Sequence, residues 1–393
     1  MDVGIRIIDV YMGEFKIFNT QNGKAEPITD KKIGIYVCGI TPYDTTHLGH
    51  AFTFISYDVL VRYLRYIGRE VTYVQNVTDI DDDILKRAKE VGLSWRQLGD
   101  RETKKYLGDM EVLNWRRPDY YVRATDSVPQ IIKIIKKLIA GGYAYEVGGS
   151  VYFEVKKDPQ FGKRLDRFKS YAEMLALANE RGNFADDPNK RDPLDFVLWQ
   201  ATKADEPIWN SPWGKGRPGW HIECSAMSSR YLDLPVTIHG GGADLRFPHH
   251  EGELSQAKAF EAPFVKVWMH AAMVYMNGEK MSKSLGNMVF VADLLKKYSA
   301  NTVRWYLLSH HYRRDWEWNE AEFKRAVSDA DMFESGLKSV KKSNADGLKE
   351  NFLAALDNDL DTPTALAILM QIKATNWILA RELARDVLGF MIK

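Results

Sequence analysis

Apolar and polar positions change period along the first eighty residues. Ile33 to Val37 is a short apolar run, as in a buried strand. From about Gly49 to Ile67 the repeat lengthens to that of a helix, with Phe52, Ile55, Leu60 and Leu64 among its apolar positions. Val71 to Val74 is a second strand, and strand, helix, strand at this spacing predicts a βαβ unit of a parallel sheet. Val236 to His239 and Val265 to Met269 are further strand candidates. Between them, Asp126 and Ser127 predict the cap of a helix carrying Ile131, Ile134, Ile135 and Leu138, ended by Gly141 and Gly142. A short strand at Val151 to Val155 follows, then a polar stretch with Pro159, Pro188 and Pro193; Glu206 to Gly219 reads as a loop. From about Asn301 the pattern is helical to the end. There Asp361-Thr362-Pro363 opens a helix with a capping side chain and a proline whose missing N–H costs nothing. The expected organisation is an α/β catalytic domain in two halves (1–109 and 219–300), an insertion over 110–218, and a small helical bundle over 301–393 with its own core.

Composition narrows the class. The chain has 393 residues, 45% hydrophobic and 12% aromatic, which predicts a globular core rather than disorder. With 54 basic and 53 acidic residues the net charge is +1, which excludes a bulk nucleic-acid binder but leaves room for a local basic face. In the tail, Lys324, Arg325, Lys338, Lys341, Lys342 and Lys349 interleave with Asp329, Asp331, Glu334 and Asp346, a mixed face rather than a nucleic-acid patch. No run reaches the roughly 18 apolar residues of a membrane span, and the opening stretch lacks the basic and apolar regions of a secretory signal. Cys38 and Cys224 are the only cysteines, too few for a disulfide framework, so the expected compartment is the cytoplasm.

Three constellations carry chemistry. His47-Leu48-Gly49-His50 opens the first helix, where free N–H groups and the helix dipole suit a phosphate, Gly49 allows close approach, and two imidazoles can donate to a charged transition state. Lys280-Met281-Ser282-Lys283-Ser284 follows a Met276-Asn277-Gly278 turn, and its two lysines suit a pyrophosphate leaving group. The third is Cys38, Cys224, His249 and Glu253. Two thiolates, an imidazole and a carboxylate match a tetrahedral zinc site, although two cysteines packed as small hydrophobes remain the other reading. Seven of the nine histidines (47, 50, 221, 239, 249, 250 and 270) fall in or beside these segments, which favours a functional reading.

The pairing of the His47 and Lys280 motifs resembles the class I aminoacyl-tRNA synthetases. Cys38-Gly39-Ile40-Thr41, Asn76-Val77-Thr78-Asp79, the Trp220 to Cys224 segment, Gly240 to Asp244 and the His249/Glu253 pair narrow the resemblance to the cysteinyl-tRNA synthetase family. It implies a Rossmann-like parallel-sheet domain, one zinc ion per chain, ATP with Mg²⁺, L-cysteine and tRNA(Cys), a monomer or homodimer, and no membrane. It assigns His47, His50, Lys280 and Lys283 to catalysis, and Cys38, Cys224, His249 and Glu253 to the metal. It places Cys38, Gly39, Ile40, Thr41, Thr53, Asn76, Val77, Thr78 and Trp220 around the amino acid. Nucleotide contacts fall to His47, Gly49, His50, Gly242, Ala243, Asp244, Val274, Lys280 and Lys283. A metal–sulfur bond rejects serine without an editing site. The stretches Cys38 to Asp44, Thr46 to Ala51, Val74 to Thr78, Lys190 to Leu194 and Asp359 to Pro363 also resemble the cysteine:glucosaminyl-inositol ligases of mycothiol synthesis, which share the adenylate step. Glu180 to Pro188 lacks that branch's compact ERGGDP pattern, and Glu253 stands where that branch usually has a small residue. A non-catalytic paralogue and a nucleotidylyltransferase for another acid are the remaining alternatives.

Overall fold

The computed structural model describes residues 13–43, 46–203, 206–281, 286–335 and 345–392. At its centre is a wholly parallel five-stranded sheet. Its spatial order is Val265–Ala271, Val236–Gly242, Lys32–Ile40, Glu70–Val77, Tyr120–Arg123. The earliest of these strands lies in the middle, and later strands are added on both sides of it. That reversal opens a crevice at the carboxyl ends of the strands, the place where sheets of this kind bind ligands. Gly39 sits where the register of Lys32–Ile40 against Glu70–Val77 shifts. A Cβ there would lie 1.6 Å from the carbonyl oxygen of Asn76, so the two strands can approach this closely only on glycine.

The Leu48–Tyr66 helix joins the first two strands and is buried from Ala51 to Leu64. One core runs from the sheet through this helix into the C-terminal helices Ala300–Leu308, Glu320–Ser335, Asp346–Asp357, Thr362–Thr375 and Trp377–Asp386. Among the described residues the tail therefore has no separate core: the Tyr63 hydroxyl donates to Leu353 O at 3.1 Å and to Asp357 Oδ1 at 2.5 Å, across nearly 300 residues of chain. The tail helix start behaves as its sequence predicts, with Asp361 Oδ1 accepting from Thr364 N at 3.1 Å. None of the described helices is long and apolar enough to cross a membrane.

Four local expectations change. Tyr120–Arg123, inside the span expected for the insertion, is an edge strand of the parallel sheet; four residues are too short to show a period. Glu206 to Gly219 is not a loop but contains the hairpin Trp209–Ser211 and Gly214–Pro218. It belongs to a second sheet, antiparallel, of order Ala144–Val147, Ser150–Phe153, Phe196–Ala201, Gly214–Pro218, Trp209–Ser211. Its glycines permit close strand approach, since a Cβ on Gly216 would lie 2.1 Å from Gln200 O. The Val128–Ala140 helix starts without a side-chain cap: the chain enters through a 3-10 turn, and the Ser127 hydroxyl donates back to Arg123 O at 3.2 Å. Finally, the helical tail is interrupted by Trp316–Glu317, which pairs in parallel with Val274–Met276. Trp316 is buried and stacks on His310 at 3.9 Å, a packing role.

Candidate active site

A cleft of about 1540 Å³ lies over the carboxyl ends of the central strands, walled on the far side by the second sheet and residues 179–190. The residues expected around the amino acid converge there: Cys38, Gly39, Ile40 and Thr41 end the first strand, Asn76 and Thr78 the second, and Thr53 and Trp220 come from helices. Val77 is the exception, its side chain belonging to the core. Asn76 ties two strands together, its Oδ1 accepting from Gly39 N at 2.8 Å and its Nδ2 donating to Thr78 Oγ1 at 3.3 Å. Gly242, Asp244 and Val274 also line the cleft, while Ala243 sits beside it in a 3-10 turn.

The His47 end differs from its sequence expectation. All of the first four helical N–H groups are used: Leu48 N donates to Val289 O, Gly49 N and His50 N to His47 Nδ1 (3.1 and 3.4 Å), and Ala51 N to His47 O. Backbone donors are therefore not free for a phosphate. The imidazole that consumes them is fixed in exchange: with Nδ1 accepting, the neutral ring carries its proton on Nε2. His50 stacks on it at 3.7 Å, and both rings line the cleft. Val274–Met276 and Glu279–Lys280 form a hairpin whose turn residues Asn277 and Gly278 have positive φ, as the turn signal predicts. The Lys280 side chain and Lys283 lie outside the described residues.

At the other end, Cys38, Cys224, His249 and Glu253 are all buried, with their donor atoms within 4.8 Å of one another. Cys224 is one turn along the Trp220–Tyr231 helix from Trp220, whose ring stacks on His249 at 4.3 Å. Cys38 Sγ is 3.6 Å from His249 Nε2 and 3.8 Å from Glu253 Oε1, and those two atoms are 3.3 Å apart. These separations are close to the edges of a tetrahedron with metal–ligand bonds of about 2.0–2.3 Å. Glu253 Oε2 is buried without a hydrogen bond among the described residues, with His239 Nε2 3.4 Å away. Burial, then Cys224 and Glu253, holds the Cys38 thiol well above its usual range, and burial raises Glu253 likewise. Burial, then His221 and His239, holds His249 well below the imidazole range, leaving a neutral lone pair. The donor set fits a divalent cation, which would compensate the deprotonated thiols and carboxylate.

Three groups here had no role assigned from sequence. His239 and His250 also present Nε2 to Cys38 Sγ, at 3.8 and 3.2 Å, and with Cys38 and Glu253 form a second possible donor set. His250 Nδ1 lies 2.7 Å from His270 Nε2, so the ring is held from behind. Glu223, next to Cys224, is fully buried, and neither carboxylate oxygen has a hydrogen-bond partner among the described residues. The clustering of histidine in these segments was the available signal; which rings turn inward was not.

The family model for the tRNA synthetases class I (C) catalytic domain matches residues 24–328. A cysteine–tRNA ligase of Thermodesulfovibrio yellowstonii is 45% identical over 382 residues, covering 91% of this chain and 77% of that protein. One from Shewanella loihica is 43% identical, covering 94% and 80%. Among solved structures, Mycobacterium tuberculosis methionyl-tRNA synthetase in complex with methionyl-adenylate superposes with a TM-score of 0.64 at 15% identity, over 91% of this chain and 88% of that one. A LeuRS–tRNA–LeuAMS ternary complex from Agrobacterium radiobacter gives 0.61 at 11% identity, over 92% and 82%. At such identities the superpositions speak for the shared fold, whereas the family match spans the stretch from Cys38 to Lys283 that holds all three motifs. On that evidence the chain belongs to the class I (C) tRNA synthetase family.

Proposed function

We propose that the protein activates L-cysteine with ATP, releasing pyrophosphate, and transfers cysteine from the adenylate to the terminal ribose of tRNA(Cys). The observation that carries this reading is the buried Cys38/Cys224/His249/Glu253 set at one end of a cleft whose other end is the His47/His50 pair, in a chain 42–45% identical to cysteine–tRNA ligases. We take the insertion to run from about Ala144 to Pro218, with the catalytic sheet before and after it and the helical tail beyond.

In this reading Cys38, Cys224, His249 and Glu253 hold zinc. Held by these four side chains, zinc would take the substrate's thiolate as a further ligand, a bond that serine's hydroxyl cannot form comparably. Thr41, Thr78 and Trp220 orient the amino acid so that its carboxylate faces the α-phosphate of ATP, which enters with Mg²⁺. His47 donates from Nε2 to the developing phosphoryl charge, His50 stacks beside it, and Gly242 to Asp244 receive the adenosine. Lys280 and Lys283 are assigned to the pyrophosphate by their motif. The carboxylate oxygen forms the new bond to phosphorus as the bond to pyrophosphate breaks; no side chain acts as nucleophile, so position and charge provide the rate. Both cysteines must stay reduced for this, as in the cytoplasm.

The acceptor is where the sugar-amine ligases diverge. Glu253, absent from the usual pattern of that branch, here points its carboxylate at Cys38 and His249, which supports the tRNA reading. Purified protein given ATP, cysteine and either tRNA or glucosaminyl-inositol is expected to charge the tRNA. Charging of the sugar alone would overturn the acceptor, and equal ATP–pyrophosphate exchange with serine would overturn the amino acid.

A further inference from the structure

The segment from Gly242 to Gln256 carries both halves of the chemistry, the loop expected to face adenosine at one end and His249 with Glu253 at the other. Its own backbone is not a continuous helix: Phe247 is extended (φ −138°, ψ 138°) inside the wide turn Arg246–His250, which precedes the short Glu251–Gln256 helix. What holds it comes from outside, from the connection between the Ser150–Phe153 and Phe196–Ala201 strands of the second sheet. Arg181, just past the Tyr171–Glu180 helix, donates to the carbonyl oxygens of both Asp244 and Phe247. Arg164 Nε donates to Glu251 Oε1 at 2.7 Å, and its Nη2 to Ser255 Oγ at 3.0 Å and to Asp158 Oδ2 at 2.6 Å. Leu165 N donates to the second oxygen of Glu251 at 3.2 Å. Glu251 is fully buried, so this is a desolvated, satisfied fork rather than a surface ion pair.

We propose that Arg164 and Arg181 are positioning residues with separate duties: Arg164 fixes the Glu251–Gln256 helix that carries Glu253 and directly follows His249, and Arg181 fixes the loop that receives the nucleotide. The contacts separate cleanly along the chain, Arg181 touching 244 and 247 and Arg164 touching 251 and 255. Arg181 lies in the stretch that walls the far side of the cleft, and Arg164 comes from the same connection between Ser150–Phe153 and Phe196–Ala201. The nucleotide arm rests on the cysteine-activating reading above; the metal arm needs only that the donor set binds zinc.

The test is a crossed pair of variants, read by competition for zinc against a chromophoric chelator and by KM for ATP in cysteine-dependent pyrophosphate exchange. Arg164→Met is expected to weaken zinc binding about 10- to 100-fold, as for lost support of a metal ligand shell, with KM for ATP nearly unchanged. Arg181→Met is expected to raise KM for ATP about 10-fold with zinc affinity nearly unchanged. Lysine at either position keeps the charge and loses the fork, so each lysine variant should fall between its methionine variant and wild type. If Arg164→Met does not fold, Arg164→Lys carries that arm, and wild-type zinc affinity in it would overturn the assignment. So would the two methionine variants shifting zinc and ATP together in step with melting temperature, the signature of a scaffold role. Absence of any exchange in the wild-type protein would sink the activation reading and leave the zinc arm standing on its own result.

Discussion

Two groups of fully buried polar side chains in this molecule are satisfied in opposite ways. Asp58, inside the Leu48–Tyr66 helix, accepts from Arg62 Nε at 2.8 Å, from the Arg304 guanidinium and from Arg116 N at 2.8 Å. The spare guanidinium donors end on carbonyls, Arg62 on Asn114 O at 2.6 Å and Arg304 on Leu113 O at 2.9 Å and Leu388 O. Burial raises the Asp58 carboxyl, but Arg304 and then Arg62 more than reverse this and hold it below its usual range. The Cys38 corner is equally buried and has no such closure. Its thiol and carboxyl are raised, its imidazoles lowered, and Glu253 Oε2 and His239 Nδ1 are left without hydrogen bonds among the described residues. A buried cluster closed on itself is scaffold; one left short of positive charge waits for a ligand.

If that contrast is right, breaking the closed cluster should cost stability, and breaking the open one should cost selectivity. Asp58→Asn leaves two buried guanidinium groups uncompensated and is expected to lower unfolding free energy by about 3–5 kcal/mol in chemical denaturation, with zinc content per folded molecule unchanged. Because the folded Asp58 carboxyl lies below its unfolded value of about 3.9, its contribution is present above that pH. It is lost as pH falls through the lower folded value, and the Asn variant should show a flatter decline in that acid window. An unaltered denaturation midpoint in Asp58→Asn would remove the contrast from the scaffold side.

The open cluster should respond the other way. Cys224→Ser is expected to lose stoichiometric zinc and to reduce discrimination between cysteine and serine by about 100-fold or more, while the metal-free protein unfolds at nearly the wild-type denaturant concentration. Wild-type affinity for cysteine in this variant would refute the metal role. The smallest effect is expected at Lys283, assigned to the phosphate end by its motif. Lys283→Ala should slow single-turnover adenylate formation about 10-fold with cysteine binding unchanged, and equal rates would remove the lysine from the mechanism.

Much of this was legible in the chain itself. The parallel strands, the first helix, the Asn277-Gly278 turn and the Asp361 cap follow from local period and local backbone preference, which neighbours in sequence decide. Tyr120–Arg123 and the Trp209–Pro218 hairpin were not, because short edge strands and glycine-bearing strands take their conformation from the strand they pair with. The HxGH motif was recognisable, yet its backbone donors turned out to be occupied, since a histidine at the cap position can fold its ring back onto them.

The residue types needed to grip sulfur and phosphate, and their order along the chain, were set by the sequence alone, because which side chains carry a sulfur, an imidazole nitrogen or an ammonium is fixed by residue identity. Which of them share one corner was decided only in three dimensions. Cys38 and His249 are 211 positions apart, and the 3.6 Å between their donor atoms exists because the strand carrying Cys38 pairs with Val236–Gly242, from whose end the turn holding His249 leads back over the sheet. The same holds for the pull of Arg164 on Glu251 and for the enclosure that leaves Glu253 partly unpaired. Desolvation and charge balance are sums over everything that packs nearby, and no stretch of sequence contains its own surroundings.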